Sequence, residues 1–351
     1  MATTTRASRF EALGTYLPAA VQPTSELVAG VAGAPKLPLE RITGVAARRV
    51  ADVEAGEDSF GLALNAAKDA LRTSRYEAAE LDVVISTSIS RSRDGDTYHF
   101  EPSFARMLIE ELGAHQAIHF DLSNACAGMI TGVHILDRMI REGIVRNGLV
   151  VSGERITPIA RTAAAEMDTS RDPQFASLTV GDSGAAVILD ESEDEADRIH
   201  HVELMTAAEY SHLCLAMPSD RTGGLAMYTD SKTQQAEGRR RIWSSFYSDF
   251  LAKEGTDLAA ERFDYVIHHQ VSTRFIEFMQ EHGESAFGTA MPETLTTTEY
   301  LGNTASTSHF VTLGQHLRDG TARRGAKFLL VPAASGVVVG GLSVTITNLG
   351  V

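Results

Sequence analysis

The sequence predicts a mixed α/β protein whose two tandem halves stack as helix, sheet, helix, sheet, helix. Two observations carry that expectation. Apolar, β-branched runs of strand length alternate with helical periods, and the alternation occurs twice with the same order of parts. The first matched pair is Leu81-Asp-Val-Val-Ile-Ser86 and Phe263-Asp-Tyr-Val-Ile-His268. Each half then has a short polar turn containing an asparagine. Ser123-Asn-Ala-Cys126 leads to Met129, Ile130, Val133, Leu136, Met139 and Ile140, and Gly302-Asn-Thr-Ala305 leads to Phe310, Leu313 and Leu317. A second strand follows each helix, at Gly148–Val151 and Phe328–Val331, and each half closes on a β-rich run, Ala185–Leu189 and Leu342–Ile346. The acidic stretch Glu191–Asp197 reads as the connector, which sets the halves at 1–190 and 198–351.

Composition is that of a globular chain: 351 residues, 43% hydrophobic and 22% charged. A net charge of −15 argues against wholesale nucleic-acid binding. Against it stand two basic clusters, Arg239-Arg240-Arg241 and Arg323-Arg324. They read as solvated faces, or as docks for an acidic carrier or a nucleotide phosphate. Met1–Phe10 has no apolar core of a signal peptide, and Phe328–Leu342 is broken by Pro332, Ser335 and glycines. Two cysteines, Cys126 and Cys214, cannot build a disulfide framework, so a cytoplasmic location is expected.

Cys126 sits where a helical pattern begins, a position whose dipole and free N–H groups favour thiolate. Ala127 and Gly128 leave room for a substrate. Cys214, within Ser211-His-Leu-Cys-Leu215, has no such setting and is assigned to the core. His269 follows a buried strand, where α/β enzymes place reactive groups, with His268 a rival by position. Asn303 offers an amide donor at the second turn. No HExxH spacing, zinc-type cysteine set, GxxxxGK[ST] or GxGxxG loop is present, so neither metal nor cofactor is expected.

Five ordered motifs together resemble the ketoacyl synthase III family: Asp121-Leu-Ser-Asn-Ala-Cys126-Ala-Gly, Val180-Gly-Asp-Ser-Gly-Ala-Ala-Val, Val266-Ile-His-His-Gln270, Leu301-Gly-Asn303-Thr and Ala334-Ser-Gly336. The match spans nearly the whole chain, and its implied fold is the duplicated thiolase fold. The resemblance implies that Cys126 is the nucleophile and that His269, the histidine directly followed by Gln, completes the catalytic set with Asn303. It further implies an oxyanion hole from the N–H groups of Cys126 and Gly336. Arg274 matches a basic position that docks carrier protein, and the family works as homodimers on acyl-CoA or acyl-carrier-protein thioesters.

Relatives that make straight fatty acids carry an apolar residue just before Pro-Ser, on a loop reaching into the partner subunit; here it is Glu101. That feature, with Gly153-Glu154 and Thr206–Tyr210, is similar to the OleA-type branch, which joins two acyl thioesters head to head. Such a reaction has to remove an α-proton, and a carboxylate in an apolar tunnel suits that task. The expected function is therefore a non-decarboxylative Claisen condensation through S-acyl-Cys126, giving a β-keto product. The alternative is acyl transfer to a hydroxyl or amine of a natural product. A hydroxymethylglutaryl-CoA synthase-like aldol reaction and a non-catalytic thiolase-fold partner fit less well, given Asn303 and the full catalytic set. Pro38 stands where some relatives stack a tryptophan on the CoA adenine, which leaves the carrier open. Arg161–Ser177 and Ser92–Tyr98 read as insertions lining or covering the acyl tunnel.

Overall fold

The computed structural model describes residues 6–29, 37–234 and 237–351, without the side chains of 234–240. The side chains of Arg239 and Arg240 in the first basic cluster thus lie outside the described ones. The first sheet contains β1 (Ala7–Tyr16), β2 (Val83–Ser86), β3 (Ile118–Asp121), β4 (Asn147–Glu154) and β5 (Ser183–Ser192), in the order β1-β5-β4-β2-β3. The second contains β6 (Arg198–Thr206), β7 (Tyr265–His268), β8 (Glu293–Thr294), β9 (Ala326–Val331) and β10 (Val338–Ile346), in the order β6-β10-β9-β7-β8. The short strand Ala333–Ala334 pairs with β10.

Both sheets follow one plan. β1 and β4 flank β5 antiparallel, and β2 runs parallel to β3 and β4. β6 and β9 flank β10 antiparallel, and β7 runs parallel to β8 and β9.

Among the described residues the longer helices are α1 (Ser59–Thr73), α2 (Phe104–Leu112), α3 (Gly128–Arg141), α4 (Thr157–Glu166), α5 (Glu237–Lys253), α6 (Thr273–Phe287) and α7 (Ser308–Arg318), and all but α4 form the other layers. Strand side chains alternate between layers, as a pleat requires. Val83 and Ile85 face inward with Val133 and Leu136 of α3 and Phe310 and Leu313 of α7, whereas Val84 faces outward to Ala63 and Ala66 of α1 and Leu108 of α2. In the second sheet Ile267 and Leu330 point to the shared inner core. Val266 and Leu329 point to Trp243 and Tyr247 of α5 and Met279 of α6. The five-layer thiolase fold is what these three cores describe. Close approach is built in with glycine: a Cβ at Gly153 would stand 2.0 Å from the Ser59 carbonyl, and one at Gly184 2.1 Å from that of Leu62.

The two central helices begin alike. A 3₁₀ turn, Ala125–Ala127 or Ala305–Thr307, runs into each, and each turn opens on a left-handed alanine, φ 45° at Ala125 and 54° at Ala305. By this register Cys126 corresponds to Ser306, and Asn124 to Thr304. The asparagines that the sequence pairs by type are therefore one position apart.

Candidate active site

Cys126 lies on the 3₁₀ turn ahead of α3, after a residue held in a conformation costing of order 1–3 kcal/mol for a non-glycine. The turn is braced from both sides. Asn124 Nδ2 donates to Thr131 Oγ1 (2.8 Å), and Ala127 packs against Ala334 and Val338. A Cβ on Gly128 would sit 3.0 Å from the Thr87 carbonyl, so the helix start presses directly on the end of β2.

Asn303 is pinned through its backbone. Its N–H donates to the Thr179 carbonyl (2.9 Å), and its carbonyl accepts from Gly181 N–H (3.0 Å). The Val180-Gly-Asp motif therefore positions Asn303 across the two halves. Asp182 of that motif is buried and accepts from the N–H groups of Ala51, Ile156 and Thr157, fixing the start of α4. Asn303 Oδ1 accepts from Ala305 N–H (2.9 Å), which leaves the Nδ2 donors for the cavity. His269 follows β7, with its backbone N–H on the Val331 carbonyl (3.1 Å) and Nδ1 3.0 Å from Ser308 Oγ. Gln270 accepts from Thr296, Thr297 and Thr298 and donates to the His268 carbonyl, tying the end of β7 to the segment before Asn303.

Cys126, His269 and Asn303 line one apolar cavity of about 210 Å³. Its walls include Trp243 of α5 and Phe275, Phe278 and Met279 of α6, together with Met227 and Thr229 of the hairpin Cys214–Pro218/Leu225–Thr229. No carboxylate and no basic chain other than His269 lines it among the described residues. Burial pushes the Cys126 thiol up to about 12, with Cys214 and Glu154 adding to the effect. The resting group is thus a thiol, not the thiolate the helix start suggests. Losing hydration costs a buried charge several kcal/mol, against roughly 0.3–1 kcal/mol from a helix terminus. Burial, then the neighbouring His309, depresses His269 to about 3, so its imidazole is neutral.

His268 is turned away. Its Nε2 lies 3.0 Å from Gln280 Oε1 and its ring meets the edge of Trp243 in the outer core. Gly336, at φ 132° in a region only glycine adopts readily, sits between Ser335 and Val337, both cavity-lining. Cys214 corrects the sequence reading. It lines the same cavity as Cys126 instead of lying in the core, because the short hairpin that carries it folds over the site.

Glu101 does not reach the cavity of its own chain. It is exposed, on a loop whose Phe100 is 86% exposed. Ser92–Tyr98 forms a small hairpin beside that loop, not a wall of the cavity, whereas Ala176 within Arg161–Ser177 does line it. Arg274 is exposed and pairs with Glu277 (3.1 Å) on the rim of a separate surface depression of about 950 Å³, which Pro38 and Arg41 also line.

One further group enters the sequence reading only within the Gly153-Glu154 likeness, with no role assigned. Glu154, at the end of β4, is fully buried and accepts hydrogen bonds from the N–H groups of Ile89 and Ser90 and the hydroxyls of Ser90, Ser152 and Ser306. Burial still pushes its carboxyl upward. A glutamate in a strand carries no signal of such a role.

Family profiles match both halves: 3-oxoacyl-(acyl-carrier-protein) synthase III over residues 120–208, and the C-terminal part of the same family over 253–346. The chain belongs to this synthase III family. It is 27% identical over 328 residues to the β-ketoacyl-(acyl-carrier-protein) synthase III of Actinobacillus pleuropneumoniae, covering 92% of this chain and 94% of the relative. The enzyme of that name from Alkalilimnicola ehrlichii is 28% identical over 341 residues, covering 95% and 97%. Among solved structures, a cysteine-to-serine Xanthomonas campestris OleA with bound lauric acid and lauroyl-CoA superposes with a TM-score of 0.82. The identity is 23%, with 97% of this chain and 99% of that chain covered. The synthase III of Aquifex aeolicus superposes with a TM-score of 0.79 at 23% identity, covering 96% and 99%. The protein is accordingly a condensing enzyme of the thiolase superfamily. No helix among the described residues is long and apolar enough to cross a membrane.

Proposed function

We propose that this synthase III family member joins two acyl thioesters by a non-decarboxylative Claisen condensation. The observation that carries the reading is that no carboxylate lines the cavity among the described residues, while Glu101 stands exposed on a loop of its own. His269 is neutral and buried, and Asn303 is a donor. Glu101 shares its exposed loop with Phe100 and Tyr98, apolar surface suited to burial against a second copy. The edge strand β3, with Ile118 half-exposed, flanks the same face. A homodimer that covers this face carries Glu101 into the partner's cavity.

The reaction then runs in balanced steps. Cys126 Sγ attacks the first thioester carbonyl, and its proton leaves on the departing carrier thiol. The N–H groups of Cys126 and Gly336 hold the tetrahedral oxyanion. Glu101 of the second copy takes an α-proton from the second thioester, while His269 and Asn303 hold the enolate oxygen. The enolate attacks S-acyl-Cys126, forming the C–C bond and a β-ketoacyl thioester and returning the thiolate, which recovers the proton from Glu101. In an apolar, closed site a carboxyl rises towards the value such a base needs. The likeness to an OleA structure holding lauroyl-CoA supports acyl-CoA as one carrier, and Arg274 beside the surface depression supports an acyl-carrier protein as the other.

The test is Glu101→Ala. Condensation should be lost while intact mass shows Cys126 still acylated. Unchanged condensation with Cys126 acylated sinks the assignment of Glu101 as base.

A further inference from the structure

The cavity that Cys126 opens onto crosses from one layer to another. It begins between the sheets, at the turn ahead of α3, and passes the ends of β7 and β9 at His269 and Val331. It reaches the outer layer against Met279 of α6 and Trp243 of α5, both members of the outer core. Its volume sets a scale. A methylene fills about the space of a water, roughly 30 Å³, so a cavity of about 210 Å³ holds roughly seven carbons.

Trp243 is the fixed part of the outer wall. Its indole N–H donates to the Gly340 carbonyl (3.2 Å), and the residue is 3% exposed. The space around the rest of the ring is filled. Phe287 and His268 meet it edge-on, at 5.4 and 6.1 Å between centroids, and Tyr247 stacks beside it at 6.4 Å. Tyr247 is held in turn against β10, where a Cβ on Gly341 would stand 2.4 Å from its ring. Met279 is unbranched and repacks readily; an indole bonded at its nitrogen and packed on its edges does not.

We propose that Trp243 determines chain length: it stops the acyl group carried by Cys126, so the substrates are thioesters of short to medium acyl chains, with hexanoyl and octanoyl the best fit. Each methylene up to the stop leaves water and should raise acylation about fourfold. A chain that overruns the stop has to fold back or stay in water, and should lose at least about tenfold. This deepens the proposed function and rests on it for the acylation of Cys126, not for the step that follows.

The test is rapid-quench intact mass of Cys126 acylation by acetyl, butyryl, hexanoyl, octanoyl and lauroyl thioesters, each on CoA and on acyl-carrier protein. The rate should climb to octanoyl and fall at least about tenfold at lauroyl; lauroyl as fast as octanoyl overturns the proposal. Trp243→Ala should raise the ratio of lauroyl to octanoyl rates by at least about tenfold. A ratio that stays at the wild-type value overturns it, because a merely structural loss slows both alike. The wild-type chain gives a further reading without any variant. Trp243 is its single tryptophan, so fluorescence should change as octanoyl loads Cys126 and hold steady as acetyl does. Emission indifferent to octanoyl overturns the placement of Trp243 at the end of the chain. No adduct at Cys126 from any thioester sinks the proposed function and this inference together. Acylation without chain preference sinks the stop alone.

Discussion

The turn at Cys126 and the turn at Ser306 have the same backbone and opposite fates. Each opens on a left-handed alanine, makes one 3₁₀ turn and starts a central helix. Cys126 is presented to the cavity, whereas the Ser306 hydroxyl donates to Glu154 (2.6 Å) and the residue is 1% exposed. Duplication thus supplies two positions for a nucleophile, and a buried carboxylate closes one of them. The second half reaches the same cavity through Asn303, just before its turn, and His269, just after β7.

Cys126→Ala breaks the open turn and has the largest expected effect: loss of activity of at least about a thousandfold, with no acyl adduct by intact mass. Ser306→Cys is the sharper partner experiment. A second adduct at position 306 would show that the closed turn is reachable after all; the expected count is one adduct per chain. Next comes Glu154→Ala, which strands five donors. Denaturant unfolding should show a loss of about 3–5 kcal/mol, against roughly 1 kcal/mol for Ser306→Ala.

Smaller effects follow from titration. Burial holds His268, His269 and His309 at about 4, 3 and 4, below the unfolded value of 6.5. The unfolded chain therefore binds protons that the folded one refuses. Stability is fully present above 6.5 and is lost as pH falls towards 4, by at most about 1.4 kcal/mol per pH unit for each ring. Replacing His309 with phenylalanine should flatten that slope in melting experiments between pH 7 and 5. The thiol gives the complementary trend. With Cys126 raised to about 12, alkylation by iodoacetamide should climb without a plateau from pH 7 to 10. The least change is expected from Arg274→Ala. Its exposed pair with Glu277 contributes within about 0.5 kcal/mol, so stability should hold while the KM for an acyl-carrier substrate rises a few-fold.

The layering was legible because strands buried on both faces leave continuous apolar runs. Val83–Ile85 and Tyr265–Ile267 show this, and each splits its side chains between two cores. The convergence of Cys126, His269 and Asn303 was legible through family motifs, since nothing local at His269 separates it from His268. Cys214 was misread because a five-residue hairpin strand gives no sign of what it folds over. The thiolate expectation failed for a similar reason: sequence shows the helix start but not the burial that outweighs it. Glu154 was invisible as a site because its five donors come from three separate segments. In the proposed dimer a second copy completes the environment of Glu101, whose own chain leaves it exposed.

The measurement that bears most directly on the proposed reaction uses one acyl-CoA, deuterated at its α-carbon, as sole substrate. A β-keto product formed without any malonyl thioester, having lost one α-deuterium, is the predicted result. Acylation of Cys126 followed by condensation only when a malonyl thioester is added, or by an ester or amide product when an alcohol or amine is supplied, would contradict it.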